Sequence, residues 1–137
     1  MVDEEVVNNK LINLEEYIKD LEEYKEIELD QYNKDKVIQR YLERTLHLAV
    51  ESILDIGNHI ISDERLGSPN TNSDIIKILA EHNIIKNNKD KYIKMARFRN
   101  IIVYDYTNID SEIVLDTIKN GLNDLKVIFR WYQEYVS

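Results

Sequence analysis

One proline and three glycines are all that punctuate 137 residues. A chain with so few breakers has little means of making the tight turns a sheet requires. Between them the apolar residues recur at three- and four-residue steps, the spacing of a helix with one buried face. The expected fold is therefore all-α, about five helices in an antiparallel bundle. A first helix is predicted over residues 3–28, with Val7, Leu11, Leu14, Ile18 and Leu21 as its buried stripe. A break at 30–34 leads into a long second helix over 35–61, whose stripe is Ile38, Leu42, Leu46, Ala49, Ile53, Ile56 and Ile60. Gly57 sits inside that rod at a cost of roughly 1 kcal/mol relative to Ala, which implies close backbone approach by a neighbouring helix or a second subunit. The clearest loop is Gly67-Ser68-Pro69-Asn70-Thr71-Asn72, with Ser73 as N-cap of a short helix through His82. A fourth helix covers 89–104. Thr107 and Asn108 break it, and Asp110 or Ser111 caps a fifth that packs Ile113, Leu115, Ile118, Leu122, Leu125, Ile128 and Phe129.

A chain of this length, 43% hydrophobic and 32% charged, reads as one globular domain over 1–137 rather than a disordered segment. With no Cys it has neither disulfides nor thiolate metal sites, in keeping with a reducing compartment. The opening Met1-Val2-Asp3-Glu4-Glu5 is acidic where a secretory signal is basic, and no apolar run approaches the roughly 20 residues of a bilayer span. The expectation is a cytoplasmic protein with no membrane contact.

The net charge of -8 is unevenly spread. Eleven acids against Lys10, Lys19 and Lys25 place all of it in residues 1–31. Residues 86–99 reverse the sign: Lys86, Lys89, Lys91, Lys94, Arg97 and Arg99 face Asp90 alone. Such a patch suits phosphates, because Lys and Arg contact a nucleic-acid backbone without regard to sequence. The bland counterpart is a solvated helix face. Within the patch, Lys91, Lys94 and Arg97 are the residues assigned to a nucleic-acid backbone.

The basic stretch runs into Arg99-Asn100-Ile101-Ile102-Val103-Tyr104-Asp105-Tyr106. Upstream, Arg40-Tyr41-Leu42-Glu43-Arg44 continues to Asp55-Ile56-Gly57-Asn58-His59, residues 72–85 form a short helix with a trailing Ile pair, and Met95-Ala96-Arg97-Phe98 leads into the motif. In this order and spacing the chain resembles the HepT-like toxins of the HEPN superfamily, helical RNA-cleaving proteins whose signature is Arg, four residues, His, one residue, Tyr. Tyr104 stands where that signature has His. The resemblance implies a homodimeric, metal-independent endoribonuclease toxin with no cofactor, whose site is assembled from both chains. It also implies a minimal nucleotidyltransferase antitoxin that attaches AMP to the Tyr matched here by Tyr106.

RNA cleavage by internal attack needs a base for the ribose 2'-hydroxyl, an acid for the leaving oxygen and positive charge on the phosphate. Arg99 supplies the charge as a permanently ionised fork of donors, and the resemblance implies that Asn100, at the polar position that commonly follows the Arg in HEPN motifs, orients substrate or partner groups. Tyr104 is a different acid from His: with a reference pKa near 10 rather than 6.5, it is ionised about one part in a thousand at pH 7. His47, His59 and His82 are the alternative imidazoles, and the spacing selects none of them. His47, Glu51, Asp55 and His59 form one ionisable stripe at four-residue steps, read as a polar face or dimer seam in preference to a metal site, with Glu51 and Asp55 expected to line a cleft near Arg99. Two function classes stay open: the ribonuclease toxin, and a catalytically degenerate HEPN module that binds RNA, nucleotide or a partner protein without cutting.

Overall fold

Apart from tyrosines, Thr45 is the one polar residue buried among the described positions, so apolar packing organises most of the core. The computed structural model describes residues 3–104 and 111–137, with side chains left out of the description at 98–104. Six helices occur among the described residues: α1 Glu4–Glu22, α2 Leu29–Lys34, α3 Lys36–Glu64, α4 Asn72–Glu81, α5 Lys89–Tyr104 and α6 Ser111–Val136. The all-α bundle is as expected, with one more helix than the periodicity suggested.

The extra element comes from the end of the first helix. Rather than running to residue 28, α1 stops at Glu22, the chain turns through 23–26, and 29–34 forms a short helix instead of a plain break. Tyr32 drives this: its ring is fully buried, and its hydroxyl donates to Glu43 at 3.0 Å. Burying a tyrosine with its hydroxyl satisfied outweighs continuing a charged helix into solvent.

Side chains at the helix ends fix the boundaries. Asp3 accepts from the Val6 N–H at the start of α1, and Asp35 accepts from the Val37 and Ile38 N–H groups at 3.0 and 3.1 Å. The cap of α4 is Thr71, not Ser73. Thr71 and Asp74 form a reciprocal capping box, a three-residue pairing that places Ser73 inside the first turn. At the far end of α3, Arg65 adopts a left-handed φ of 54°, and the Leu66 N–H reaches back to the Ile61 carbonyl at 2.9 Å, closing a Schellman turn.

α3 is the central rod. α1 and α6 pack on one flank of it, with α2 against α3 and α6, while α4 and α5 pack against each other and on α3. All five predicted residues of the α1 stripe are buried. On α3, Ile38 is only partly covered and the other six predicted positions are buried. On α6 the stripe is rotated slightly from expectation: Ile113 is 49% exposed and Phe129 half-buried, while Val114, Tyr132 and Val136 take the interior. Gly57 has the predicted close neighbours, and they belong to α4 and α6 of the same chain. A Cβ there would lie 2.8 Å from Leu79 Cδ1, 2.9 Å from Tyr132 Oη and 3.0 Å from Ile75 Cγ2. The buried Tyr132 hydroxyl donates to the Ile53 carbonyl at 2.8 Å, one turn before Gly57.

Candidate nucleic-acid interface

The rotation of α5 about its axis decides which of its cations reach solvent. Asn88, with φ 58°, turns the chain into the helix, and its carbonyl accepts from the Lys91 and Tyr92 N–H groups. Tyr92, Ile93 and Ala96 then point inward. The Tyr92 hydroxyl donates to the Asp124 carbonyl at 2.8 Å, and its ring meets the Trp131 ring edge-on with centroids 5.8 Å apart. Burial, and then the nearby Asp124 charge, push the Tyr92 phenol up from its ordinary value, so it remains a neutral donor. Tyr92 is an anchor that the apolar reading of the sequence passed over. Its signal was its place four residues before Ala96.

With that face fixed, the cations divide into two groups. Lys86 and Lys91 lean toward α6, 3.3 Å from Glu134 and 3.7 Å from Asp124. Lys89, Lys94 and Arg97 are exposed and pair with no carboxylate among the described residues. Of the three residues assigned to RNA, Lys94 and Arg97 thus present charge that is unpaired among the described residues, and Lys91 shares its charge with Asp124. The acids of α1 lie elsewhere: among the described residues, α1 packs on α3 and α6 and not on α5, which packs on α3 and α4 and touches α6 through Tyr92 and Lys91.

The helical backbone of α5 carries the chain through Arg99, Asn100 and Tyr104, whose side chains lie outside the described residues. Tyr106 also lies outside them, as do the predicted break at Thr107 and Asn108 and the cap at Asp110.

The ionisable stripe on α3 is divided among separate contacts. His47 Nε2 faces Glu51 at 3.6 Å, His59 Nδ1 faces Asp63 at 3.8 Å, and Asp55 accepts from Lys10 of α1. No three His, Asp or Glu side chains converge to hold a metal among the described residues. Glu51 and Asp55 line a cleft of about 300 Å³ with Leu54, Asn58, Asn72 and Ile75 between α3 and α4, and the Arg99 side chain expected near them lies outside the described residues. Two carboxylates in the cleft wall disfavour phosphate there and favour a cation. His82 is an exposed C-cap of α4. No described helix is long and apolar enough to cross a membrane.

This is a small all-helical protein that turns Lys and Arg, unpaired among the described residues, outward from one helix directly ahead of an Arg-Asn pair. The chain belongs to the Ribonuclease HepT-like family, whose profile matches residues 14–130. It is 28% identical over 123 residues to the mRNA nuclease HepT of Shewanella oneidensis, covering 89% of this chain and 92% of that one. It is 26% identical over 132 residues to the tRNA nuclease HepT of Aphanizomenon flos-aquae, covering 96% and 90%. Among solved structures, it is similar to a tri-AMPylated Shewanella oneidensis HEPN toxin in complex with an MNT antitoxin, with a TM-score of 0.84, 27% identity, and 98% and 99% of the two chains covered.

Proposed function

We propose that this chain is a single-domain HepT-type toxin, a metal-independent endoribonuclease that acts on RNA as a homodimer and is inhibited by a nucleotidyltransferase antitoxin. The observation that carries the reading is the charge of Lys94 and Arg97, unpaired among the described residues, running along α5 into the Arg99 signature, on a chain alike over nearly its whole length to a HEPN toxin held by its antitoxin. Lys91, Lys94 and Arg97 hold the RNA backbone. Arg99 stabilises charge on the phosphate in flight, Asn100 orients it, and Tyr104 occupies the proton-transfer position. Tyr106 receives AMP from the antitoxin, which adds negative charge to the groove and repels substrate.

Tyr104 specifically favours a second reading, a degenerate module that binds RNA, nucleotide or its partner without cleavage. A phenol with the reference pKa near 10 costs about 4 kcal/mol to deprotonate at pH 7, a cost that an imidazole, largely neutral there, does not carry. One experiment separates the two: purified protein is incubated with RNA in the presence of a chelator. The expected result is cleavage that Arg99→Ala reduces by about 100-fold or more and Tyr104→His raises. RNA bound yet left intact by both the wild type and Tyr104→His would leave only the binding module. Incubation with the antitoxin and ATP should add the mass of AMP to the wild type and not to Tyr106→Phe.

A further inference from the structure

The cleft between α3 and α4 joins two kinds of surface. Leu54 on one wall and Ile75 on the other are buried apolar side chains, and the polar groups of Glu51, Asp55, Asn58 and Asn72 line the same space. Its volume of about 300 Å³ lies at the small end of ligand pockets, room for one ring system. α4, which supplies Asn72 and Ile75, packs directly on the basic helix α5. The hydrogen-bonding groups are unequally engaged. Glu51 faces His47. Asp55 commits Oδ2 to Lys10 of α1, an ion pair that holds the carboxylate in one orientation, and its Oδ1 accepts from no donor among the described residues. The side-chain amides of Asn58 and Asn72, one from each wall, also have no hydrogen-bond partner among the described residues. Negative charge keeps a phosphate out, and no three His, Asp or Glu side chains converge to hold a metal ion among the described residues. What fits is a flat neutral ring that offers N–H donors.

We propose that the cleft is a nucleobase pocket that selects guanine from single-stranded RNA. This rests on RNA as the ligand, common to both readings of the proposed function, and names the base that is read. Guanine alone among the four RNA bases presents two adjacent N–H donors on its Watson–Crick edge, N1–H and the 2-amino group. They donate to the Asp55 carboxylate, whose Oδ2 keeps a lone pair beside its bond to Lys10. The amides of Asn58 and Asn72 donate to O6 and N7, and Leu54 and Ile75 cover the faces of the ring. Adenine and cytosine turn a bare ring nitrogen toward the carboxylate, and uracil turns carbonyl oxygens, so each sets an acceptor against an acceptor. Bases splayed out of a single strand are read along their edges in this way, while the backbone stays on cations such as Lys94 and Arg97.

The test uses short uridine oligonucleotides that differ at one position, so that phosphate contacts are common to all, with filter binding in the presence of a chelator. Guanosine at that position should bind at least about 5-fold more tightly than uridine, adenosine or inosine, of which inosine lacks only the 2-amino group. Asp55→Asn, which sets an amide where the carboxylate stood, should bind the guanosine and inosine oligonucleotides alike, with circular dichroism confirming the helical fold. Asn58→Ala/Asn72→Ala, which leaves Asp55 and Lys10 in place, should keep the preference for guanosine over inosine and lose about 5-fold in affinity for both. Equal binding of all the oligonucleotides, a preference for another base, or a guanosine preference that survives Asp55→Asn intact would overturn the proposal and leave the RNA reading standing. A wild type that binds none of them even at low salt would end the RNA reading along with it.

Discussion

α1 and α5 flank the same rod and are built on opposite terms. Five of the 19 residues of α1 form an uninterrupted buried stripe, and its surplus acids face solvent or bond to neighbours, as Glu22 does to Lys126. The described part of α5 buries only Tyr92, Ile93 and Ala96, and spends its remaining surface on cations that the core does not use. One helix is committed to holding the bundle together and the other to what the bundle touches. Substitutions in α1 should therefore register in stability, and outward substitutions in α5 in binding.

The largest expected effect tests the first half of that contrast. Leu14→Ala, which empties a fully buried site in α1, should cost about 2–5 kcal/mol in denaturant unfolding and leave RNA affinity per folded molecule unchanged. Lys94→Ala/Arg97→Ala should do the reverse. Unfolding free energy should move by no more than about 0.5 kcal/mol, while the salt dependence of RNA binding, log K against log salt, should flatten by about 1.4, the single-strand value for two lost phosphate contacts. A double variant that unfolds early, or binds with an unaltered salt slope, would break the comparison. Next in size is Gly57→Ala in the shared rod. The gain in helix propensity is outweighed by the contact with the anchored Tyr132 hydroxyl, for a net loss of about 1–2 kcal/mol by thermal melting.

The smallest effect concerns α4, which joins α5 to the rod. The N–H of Asn70, and then the bonds from Thr71, hold the Asp74 carboxyl below the usual carboxylate range. A carboxyl depressed in the folded state contributes stability that is fully present above its unfolded pKa and is lost as pH falls through the folded one. Hydrogen exchange should therefore show α4 amides losing protection below about pH 4 ahead of those of α1, and Asp74→Asn should remove that acid-side dependence.

How much could be read from the sequence follows the same division. Val7, Leu11, Leu14, Ile18 and Leu21 were legible because a single amphipathic helix obeys one period. The start of α5 at Lys89 was legible too. Tyr32 was hidden among charges because its burial depends on a hydroxyl partner eleven residues away, which no local pattern contains. Tyr132 continues the four-residue step from Ile128 to Val136, a signal that was present but masked by the polarity of tyrosine. Thr71 lost to Ser73 because the capping partner is Asp74 rather than the more usual Glu or Gln. At the candidate site, exposure of Lys94 and Arg97 followed from helical phase. The contact of Lys91 with Asp124 did not, since it joins elements far apart in the chain.

The tyrosine bond across the rod also sets an order of assembly. Its donor lies 79 residues beyond its acceptor, so a ribosome adding about 5–20 residues per second makes them roughly 4–16 s apart. Throughout that interval the groove beside Gly57 stands open and the nascent chain lacks its keystone. A growing polypeptide of this kind is open to proteolysis until residue 132 has been made.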